Sequence, residues 1–345
     1  MKPRPFTHKL GIRYPIIQAP MSGGSTTPEL VAAVANAGGL GSFAGGYLKP
    51  NAITDAIHHI RQQTTRPFAV NLFIQSKPQA KPSEIDKARH AISNCCPELN
   101  IHISPVLAPF VPDFTDQMQV IIDEKVPVFS FAFGILEQEW LTKLRRNKTI
   151  IIGTATTLKE ASALQDNGVD FIVLQGLEAG GHRGTFFGHD ENEHYSLHEL
   201  LSQTLANIKT PLIAAGGIMN DNGIKDVLAR GAVAAQLGTA FLTCHESGIT
   251  KEYKKALLEQ QQDNTVLTKA FSGKLARSIN NAFIERMKNT TAILPYPIQN
   301  ALTTSMRTKA KELGNIDFMS LYAGQRAFAC QDVSVRELME RLVRE

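Results

Sequence analysis

Eight short apolar segments recur within the first 245 residues, and polar or amphipathic stretches separate them. Each segment is five to eight residues long, and several are apolar at nearly every position. Segments of this kind are typical of parallel strands whose two faces are both covered by other elements. The eight segments are Pro15–Met21, Leu40–Gly45, Phe68–Phe73, Val126–Phe133, Thr149–Thr154, Phe171–Gln175, Leu212–Gly217 and Ala234–Phe241.

The residues between these segments predict helices. Thr27 is suited to cap a helix that begins at Pro28, because proline in the first helical position costs no hydrogen bond. Gly38, Gly168 and Gly231 each follow a helical stretch, and glycine readily takes the left-handed conformation that ends a helix. The predicted helices are Pro28–Asn36, Ala52–Gln62, Ser83–Ser93, Leu158–Asp166 and Asp221–Ala229.

Strands that alternate with helices form a parallel sheet with right-handed crossovers. Eight such units within the first 245 residues fit a (β/α)8 barrel of the TIM type. A doubly wound open sheet is the alternative, but it usually has fewer strands, and its G-x-G-x-x-G fingerprint is missing after the first strand. We assign 1–245 and 320–345 to the barrel, and the polar, lysine-rich segment 246–319 to a mostly helical insertion or lid.

The composition is that of a globular protein. The 345 residues include 36 Lys and Arg and 32 Asp and Glu, and the net charge of +4 is too small to indicate a nucleic-acid partner. No apolar stretch approaches the ~18 residues of a membrane-spanning helix, and the first residues lack the apolar core of a secretion signal. We therefore expect no membrane partner.

The four cysteines indicate a cytoplasmic protein with reduced thiols. Cys95 and Cys96 are adjacent, and neither they nor Cys244 and Cys330 form a C-x-x-C pair. This spacing predicts neither a disulfide framework nor a zinc site. The carboxylates also lack the spacing of metal ligands, so we expect no bound metal.

The active site of a (β/α)8 barrel lies at the carboxyl ends of its strands, so the residues there are the candidates. Gln175 closes the sixth segment, and His182 follows it after Gly180 and Gly181. Although most histidines are surface or core residues, an imidazole here could reach the barrel mouth and act as a base near neutral pH. Asn71 lies inside the third segment, where a buried amide either lines a polar site or bonds to backbone.

Glycines also end the seventh and eighth strands, in Ala215–Gly217 and Gln236–Thr239. Backbone N–H groups and a helix N-terminus in these loops can hold a phosphate without Lys or Arg, although close helix–strand packing would also require glycine. The first strand ends in Ala19–Met21, a low wall against which a planar ring could lie. A plain Pro–Gly turn would explain these residues as well.

Six motifs make the chain similar to the nitronate monooxygenases, once called 2-nitropropane dioxygenases, and in particular to their class I. They are QAPM at 18–21, AGGLG at 37–41, VNLF at 70–73, QGLEAGGHRG at 175–184, AAGGI at 214–218 and QLGTAF at 236–241. The resemblance extends from about residue 5 to residue 330 and includes PYPIQN at 295–300 and YAGQ at 322–325.

The resemblance implies an FMN-containing barrel that oxidises alkyl nitronates with dioxygen and detoxifies compounds such as propionate 3-nitronate. It makes His182 the active-site histidine, which binds the nitro oxygens of the substrate or takes a proton. It assigns no role to Tyr47, Tyr296 or Tyr322. The residues that it implies for the FMN site, the first three of them beside the isoalloxazine ring, are Ala19, Pro20, Met21, Asn71, Gln175, Gly180, Gly217, Gln236, Leu237, Gly238 and Thr239.

Three other functions fit the same sequence. The superfamily that the chain resembles includes flavin-dependent NAD(P)H reductases that act on quinones or on enoyl-ACP. A cofactor-free isomerase or lyase that binds a phosphorylated metabolite would share the two glycine loops. The third is a non-catalytic binding barrel, although Gln175, Gly180 and His182 at one mouth argue against it. The sequence predicts no particular oligomeric state.

Overall fold

In a computed structural model of the chain, which describes residues 5–74, 78–187 and 193–344, a strand forms at each of the eight apolar segments. Seven parallel ladders join these strands in a row, and a parallel bridge between Ile17 and Leu40 closes the row into a ring. The predicted (β/α)8 barrel is therefore confirmed. In chain order the strands are β1 (Ile16–Gln18), β2 (Ser42–Ala44), β3 (Ala69–Phe73), β4 (Val128–Ala132), β5 (Ile150–Ala155), β6 (Phe171–Gln175), β7 (Gly181–His182), β8 (Leu212–Ala215), β9 (Ala234–Leu237), β10 (Thr265–Thr268) and β11 (Ala276–Ile279). All but β7, β10 and β11 belong to the barrel.

The five predicted helices all form, and the caps explain their ends. The Thr27 hydroxyl accepts a hydrogen bond from the Leu30 amide at 3.0 Å and begins the second helix, and Gly168 ends the seventh with φ 85°. In chain order the helices are α1 (Pro5–Leu10), α2 (Pro28–Asn36), α3 (Pro50–Gln63), α4 (Pro82–Cys95), α5 (Phe114–Asp123), α6 (Gln138–Arg146), α7 (Leu158–Asn167), α8 (Leu197–Leu205), α9 (Asp221–Ala229), α10 (Thr239–Leu242), α11 (Lys251–Leu258), α12 (Ala282–Met287), α13 (Ile298–Leu302), α14 (Thr304–Glu312) and α15 (Val335–Leu342).

Apolar side chains from the strands fill the inside of the barrel, which is therefore a packed core and not a pore. The short helix α1 adds Phe6 and Leu10 to this core. Phe6 is 1% exposed, and its ring meets that of Phe171 edge to face with the centroids 4.9 Å apart. Because Phe171 begins β6, α1 plugs the amino end of the barrel, opposite the strand ends that carry the candidate residues.

A second hydrophobic core lies outside the barrel. It joins Phe271, Phe283 and Met306 of the 246–319 segment to Ile92 and Leu99, which lie in α4 and just after it. Besides helices, the segment contains an antiparallel hairpin of β10 and β11, which the sequence analysis did not predict. β11 is the central strand of a three-stranded sheet and also pairs with β7, so the hairpin reaches the loop that follows β6.

The last helix packs against the outside of the barrel. This helix, α15, is amphipathic and contacts α2 and α9. Within the described ranges, no helix combines the length and apolar character that crossing a membrane requires. The same ranges contain no group of three or more His, Cys, Asp or Glu placed to hold a metal ion.

Replacing Phe6 with alanine should destabilise the protein by about 3–5 kcal/mol, because it leaves a cavity beneath Phe171 at the closed end of the barrel. Urea denaturation followed by the fluorescence of Trp140 measures the effect. His8→Ala, on the exposed side of α1, is the matched control and should change the stability by less than about 0.5 kcal/mol. Equal denaturation midpoints for the two variants would contradict the role of α1 as a plug.

Candidate active site

One cavity of about 660 Å³ opens at the carboxyl ends of the barrel strands, and residues of the 246–319 segment complete its wall. This volume lies within the range of small-molecule and cofactor sites. The structure brings every predicted site residue to this one cavity. These residues are Ala19, Pro20, Met21, Asn71, Gln175, Gly180, His182, Gly217, Gln236, Leu237, Gly238 and Thr239.

A buried glutamine shapes the wall that Ala19–Met21 forms. The Gln18 side chain is fully buried, and its Oε1 accepts a hydrogen bond from the Ser42 amide of β2 at 3.0 Å. The Thr26 hydroxyl accepts another from the Met21 amide at 2.9 Å, which turns the chain back after β1. The backbone of the wall is thus fixed from both sides before any ligand binds.

The amides of Asn71 and Gln236 also line the cavity, but they differ in what they bind. Asn71 is 4% exposed and donates from Nδ2 to the Ser130 hydroxyl of β4 at 2.9 Å. Asn71 therefore lines a polar site, and its amide bonds to the Ser130 side chain rather than to backbone. The Gln236 amide bonds to no group in the described part of the chain, so it is free to bind a ligand.

Gln175 holds the loop that carries His182. Its Nε2 donates to the His182 carbonyl at 2.9 Å, and its Oε1 accepts from the Gly184 amide at 2.7 Å. The buried Arg183 donates to the Gly176 carbonyl at 2.6 Å and so closes the same loop from below. One proton of the Gln175 amide remains for the cavity.

The imidazole of His182 is enclosed by aromatic rings and cations. His182 lies on β7 opposite Ala276 of β11, and its ring centroid is 5.1 Å from that of Tyr322 and 6.0 Å from that of Tyr296. The pKa of His182 is lowered from 6.5 to about 3, mainly by burial and also by the positive charges of Lys274 and Arg307. The imidazole is therefore neutral at physiological pH.

Ser272 determines which nitrogen of the His182 imidazole carries the proton. Its Oγ lies 2.8 Å from His182 Nε2 and 3.1 Å from the Lys274 carbonyl. If the hydroxyl donates to the carbonyl, Nε2 carries the proton and Nδ1 is a free acceptor. If the hydroxyl donates to Nε2, Nδ1 carries the proton and is a donor. The geometry accommodates both arrangements.

The loop at Gly180 approaches other backbone too closely for any larger residue. A Cβ on Gly180 would lie 2.5 Å from the Ala323 carbonyl carbon and the Gly324 nitrogen. The Gly324 amide donates to the Thr239 hydroxyl at 3.0 Å, which leaves the hydroxyl proton of Thr239 free to donate. Gly217 has φ 66°, a left-handed conformation that turns its loop toward the cavity at little cost.

The structure adds residues that the sequence analysis missed or left without a role. The hydroxyls of Tyr47 and Tyr296 are buried and interact with each other, but neither forms a hydrogen bond of ordinary geometry within the described ranges. Tyr47 lines the cavity. Burial raises the pKa of Tyr296 to about 12 and that of Tyr47 well above 10, so both phenols remain hydrogen-bond donors. The motif PYPIQN could have indicated Tyr296, whereas no motif marks Ser272.

The charges that line the cavity all have one sign. Arg307, Lys311 and Arg326 contribute to its wall, and no Asp or Glu does so among the residues that the structure describes. A partly buried cation attracts anions strongly, because water screens it less than a fully exposed one. The cavity is therefore suited to negatively charged ligands.

Comparisons with known proteins agree on one family. The model of the nitronate monooxygenase family matches residues 4–345. A probable nitronate monooxygenase of Staphylococcus haemolyticus is 39% identical over 99% of this chain and 96% of its own length. The structure of nitroalkane oxidase from Streptomyces ansochromogenes has a TM-score of 0.90 and 37% identity, covering 98% of this chain and 96% of that one. FabK from Thermotoga maritima has a TM-score of 0.79 and 26% identity, covering 99% of this chain and 96% of that one.

We predict that His182 stays neutral from about pH 5 to pH 8, because its pKa of about 3 lies below that range. Nitrogen-15 NMR of the labelled imidazoles measures this, with His182→Asn identifying the signal. A histidine-containing model peptide is the control and titrates near the usual pKa of about 6.5. A His182 signal that titrates in the same range as the peptide would contradict the burial argument.

Gly180→Ala should destabilise the protein by about 1–3 kcal/mol, because the new methyl group would force residues 323–324 away from the glycine loop. Gly238→Ala is the matched control in the same cavity wall. Its Cβ would lie at the ordinary distances of 3.5 Å from Ala19 and 3.7 Å from the Met21 sulfur, so a smaller change is expected. Thermal denaturation of the two variants compares them, and a larger loss in Gly238→Ala would contradict the packing account.

Proposed function

The chain belongs to the nitronate monooxygenase family, and from that premise we propose that it oxidises alkyl nitronates with dioxygen, using FMN bound in the cavity. One observation carries the proposal. The imidazole of His182, the glycine loops after β8 and β9, and a wall whose described charges are all positive meet in a single cavity. A nitronate and a flavin phosphate are both anions, and each would find a complementary part of this wall.

The residues of the cavity fit FMN. The loops of Gly217 and Gly238, with the uncommitted hydroxyl proton of Thr239, would take the phosphate. The fixed wall of Ala19–Met21 would lie beside the isoalloxazine ring, and Leu237 and Gly180 would border it. The free amide of Gln236, the remaining proton of Gln175 and the amide of Asn71 would bind its polar edge. The bound FMN supplies the redox chemistry between nitronate and dioxygen, which the side chains do not.

The protein groups bind and orient the anionic nitronate. The positive charges of Arg307, Lys311 and Arg326 attract it to the cavity. The protonated hydroxyl of Tyr47, which lines the cavity, can donate to its oxygens, and the neighbouring hydroxyl of Tyr296 can assist. Residues 246–319 act as a lid in this proposal, since they contribute Ser272, Tyr296 and Arg307 over the barrel of 1–245 and 320–345.

The role of His182 depends on the substrate. A nitronate is already an anion and needs no base, so Nδ1 would donate to its oxygens while Ser272 donates to Nε2. A neutral nitroalkane must first lose its α-proton, and Nδ1 would then be the acceptor while Nε2 donates to Ser272. As the α-proton leaves, the negative charge that develops on the nitro group stabilises the imidazolium that forms.

We propose small nitronates of the propionate 3-nitronate type as natural substrates, and detoxification in the cytoplasm as the role. The cationic wall supports a substrate with more than one negative charge. The four free cysteines support a reducing compartment. The partners are the nitronate and dioxygen, and the proposal includes no nucleic-acid or membrane partner.

The purified protein should be yellow, release FMN on heating and consume oxygen with ethyl nitronate. Anaerobic addition of NADH is the control, and it should bleach the flavin slowly or not at all. Rapid bleaching by NADH without oxygen uptake on the nitronate would favour a reductase instead. A colourless protein would favour an isomerase or lyase that binds a phosphorylated metabolite.

His182→Asn should lower kcat/KM for neutral nitroethane by about a hundredfold or more, since it removes the base. It should lower kcat/KM for ethyl nitronate by only about tenfold, the loss of one hydrogen bond to a charged group. His59→Asn, at an exposed position, is the control and should change neither value. With flavin content matched, equal losses on both substrates would contradict the base role.

A further inference from the structure

Arg307 on α14 is a charged residue of the cavity wall that no acidic residue neutralises. It is half-buried, lines the cavity and forms no ion pair with any carboxylate in the described ranges. Lys309, another basic residue of α14, forms an ion pair with Glu312 at 3.3 Å, outside the cavity. An uncompensated cation in a partly buried position is costly unless an anion binds there.

The guanidinium of Arg307 is held in place by neutral acceptors. Nη2 donates to the carbonyl and to the Oδ1 of Asn300 at 2.9 and 3.0 Å, and Nε donates to the Thr303 hydroxyl at 3.2 Å. These bonds restrict the side chain without cancelling its charge. Nη1 has no partner among the described residues, so part of the guanidinium is free to bind an anion.

Arg307 lines the same cavity as His182, and its charge acts on the pKa values of His182, Tyr47 and Tyr322. Lys311 lies one helical turn further along α14 and also lines the cavity, where its Nζ donates to the Gly23 carbonyl at 3.2 Å. Both cations are therefore available to an anion that binds beside the imidazole.

We propose that Arg307 is a specificity-determining residue, which binds a carboxylate at the end of the nitronate substrate opposite its nitro group, with Lys311 assisting from the rim. This inference rests on the proposed function, which it deepens. Arg307 suits the task because a fixed guanidinium binds a carboxylate through charge-assisted hydrogen bonds. The nitro end of the substrate would then bind to His182 and to the hydroxyls of Tyr47 and Tyr296.

The first test needs no variant. A nitronate group has the shape and charge of a carboxylate, so succinate copies propionate 3-nitronate and propionate copies ethyl nitronate. As competitive inhibitors of ethyl nitronate oxidation by the wild-type holoenzyme, succinate should bind at least about tenfold more tightly than propionate. Equal inhibition constants would overturn the proposal.

The second test changes the charge. Arg307→Gln should lower kcat/KM for propionate 3-nitronate by about tenfold to a hundredfold, and that for ethyl nitronate by about twofold to threefold through the weaker field. It should also remove the preference for succinate, and Arg307→Lys should restore part of both. Lys309→Gln, which removes a charge from the same helix outside the cavity, should leave both substrates unaffected.

The outcomes separate this inference from the function on which it rests. Loss of FMN from Arg307→Gln would assign the cation to the cofactor and overturn the proposal, as would equal losses on the two nitronates. Ethyl nitronate tests the proposed function alone, because it has no carboxylate. If the wild-type protein oxidises ethyl nitronate without preferring propionate 3-nitronate or succinate, only the role of Arg307 fails. If it oxidises neither nitronate, the proposed function fails.

Discussion

The pairing of β7 with β11 is the interaction on which the arrangement of the cavity depends. It joins Gly181 and His182, which follow a barrel strand, to Arg277 and Ala276 of the outer hairpin. Arg277 is buried and donates from Nε to the Leu177 carbonyl at 3.0 Å, which ties the hairpin to the same loop a second time. The hairpin packs in the same hydrophobic core as α13 and α14. The pairing of β7 with β11 therefore sets the distance between His182 and the residues of the 246–319 segment.

The same construction explains why the described charges of the site are all positive. The 246–319 segment contributes Arg307 and Lys311 to the cavity wall, and the barrel contributes glycine loops and amides rather than carboxylates. The cost of holding the charge of Arg307 is offset by the neutral acceptors Asn300 and Thr303, which precede α14, and by the anions that the site would bind. The imidazole of His182 is neutral because burial disfavours a second proton on it and because Lys274 and Arg307 repel that proton.

The barrel and its strand-end residues could be predicted because the strands and helices of a barrel have recognisable short-range sequence patterns. Apolar segments, Thr27 before Pro28 and glycines such as Gly168 each act through their immediate neighbours. The packing of the 246–319 segment could not be predicted in this way. Arg307 reaches the cavity, and Ser272 reaches the His182 imidazole, only through the tertiary packing of short elements. The strand β11 pairs with a two-residue strand almost 100 residues earlier, so this pairing has no local signature. The sequence identified Gln175 as a polar residue at a strand end but could not indicate its bonds to the His182 loop.

The most direct test of the account is a crystal structure of the yellow holoprotein with succinate bound. We predict FMN in the cavity with its phosphate on the loops of Gly217 and Thr239, and the imidazole of His182 facing the reactive side of the ring. One carboxylate of succinate should lie against that imidazole and the other against Arg307. An imidazole turned to bulk solvent, or a flavin seated elsewhere, would contradict the central claim that this single cavity places cofactor and substrate together.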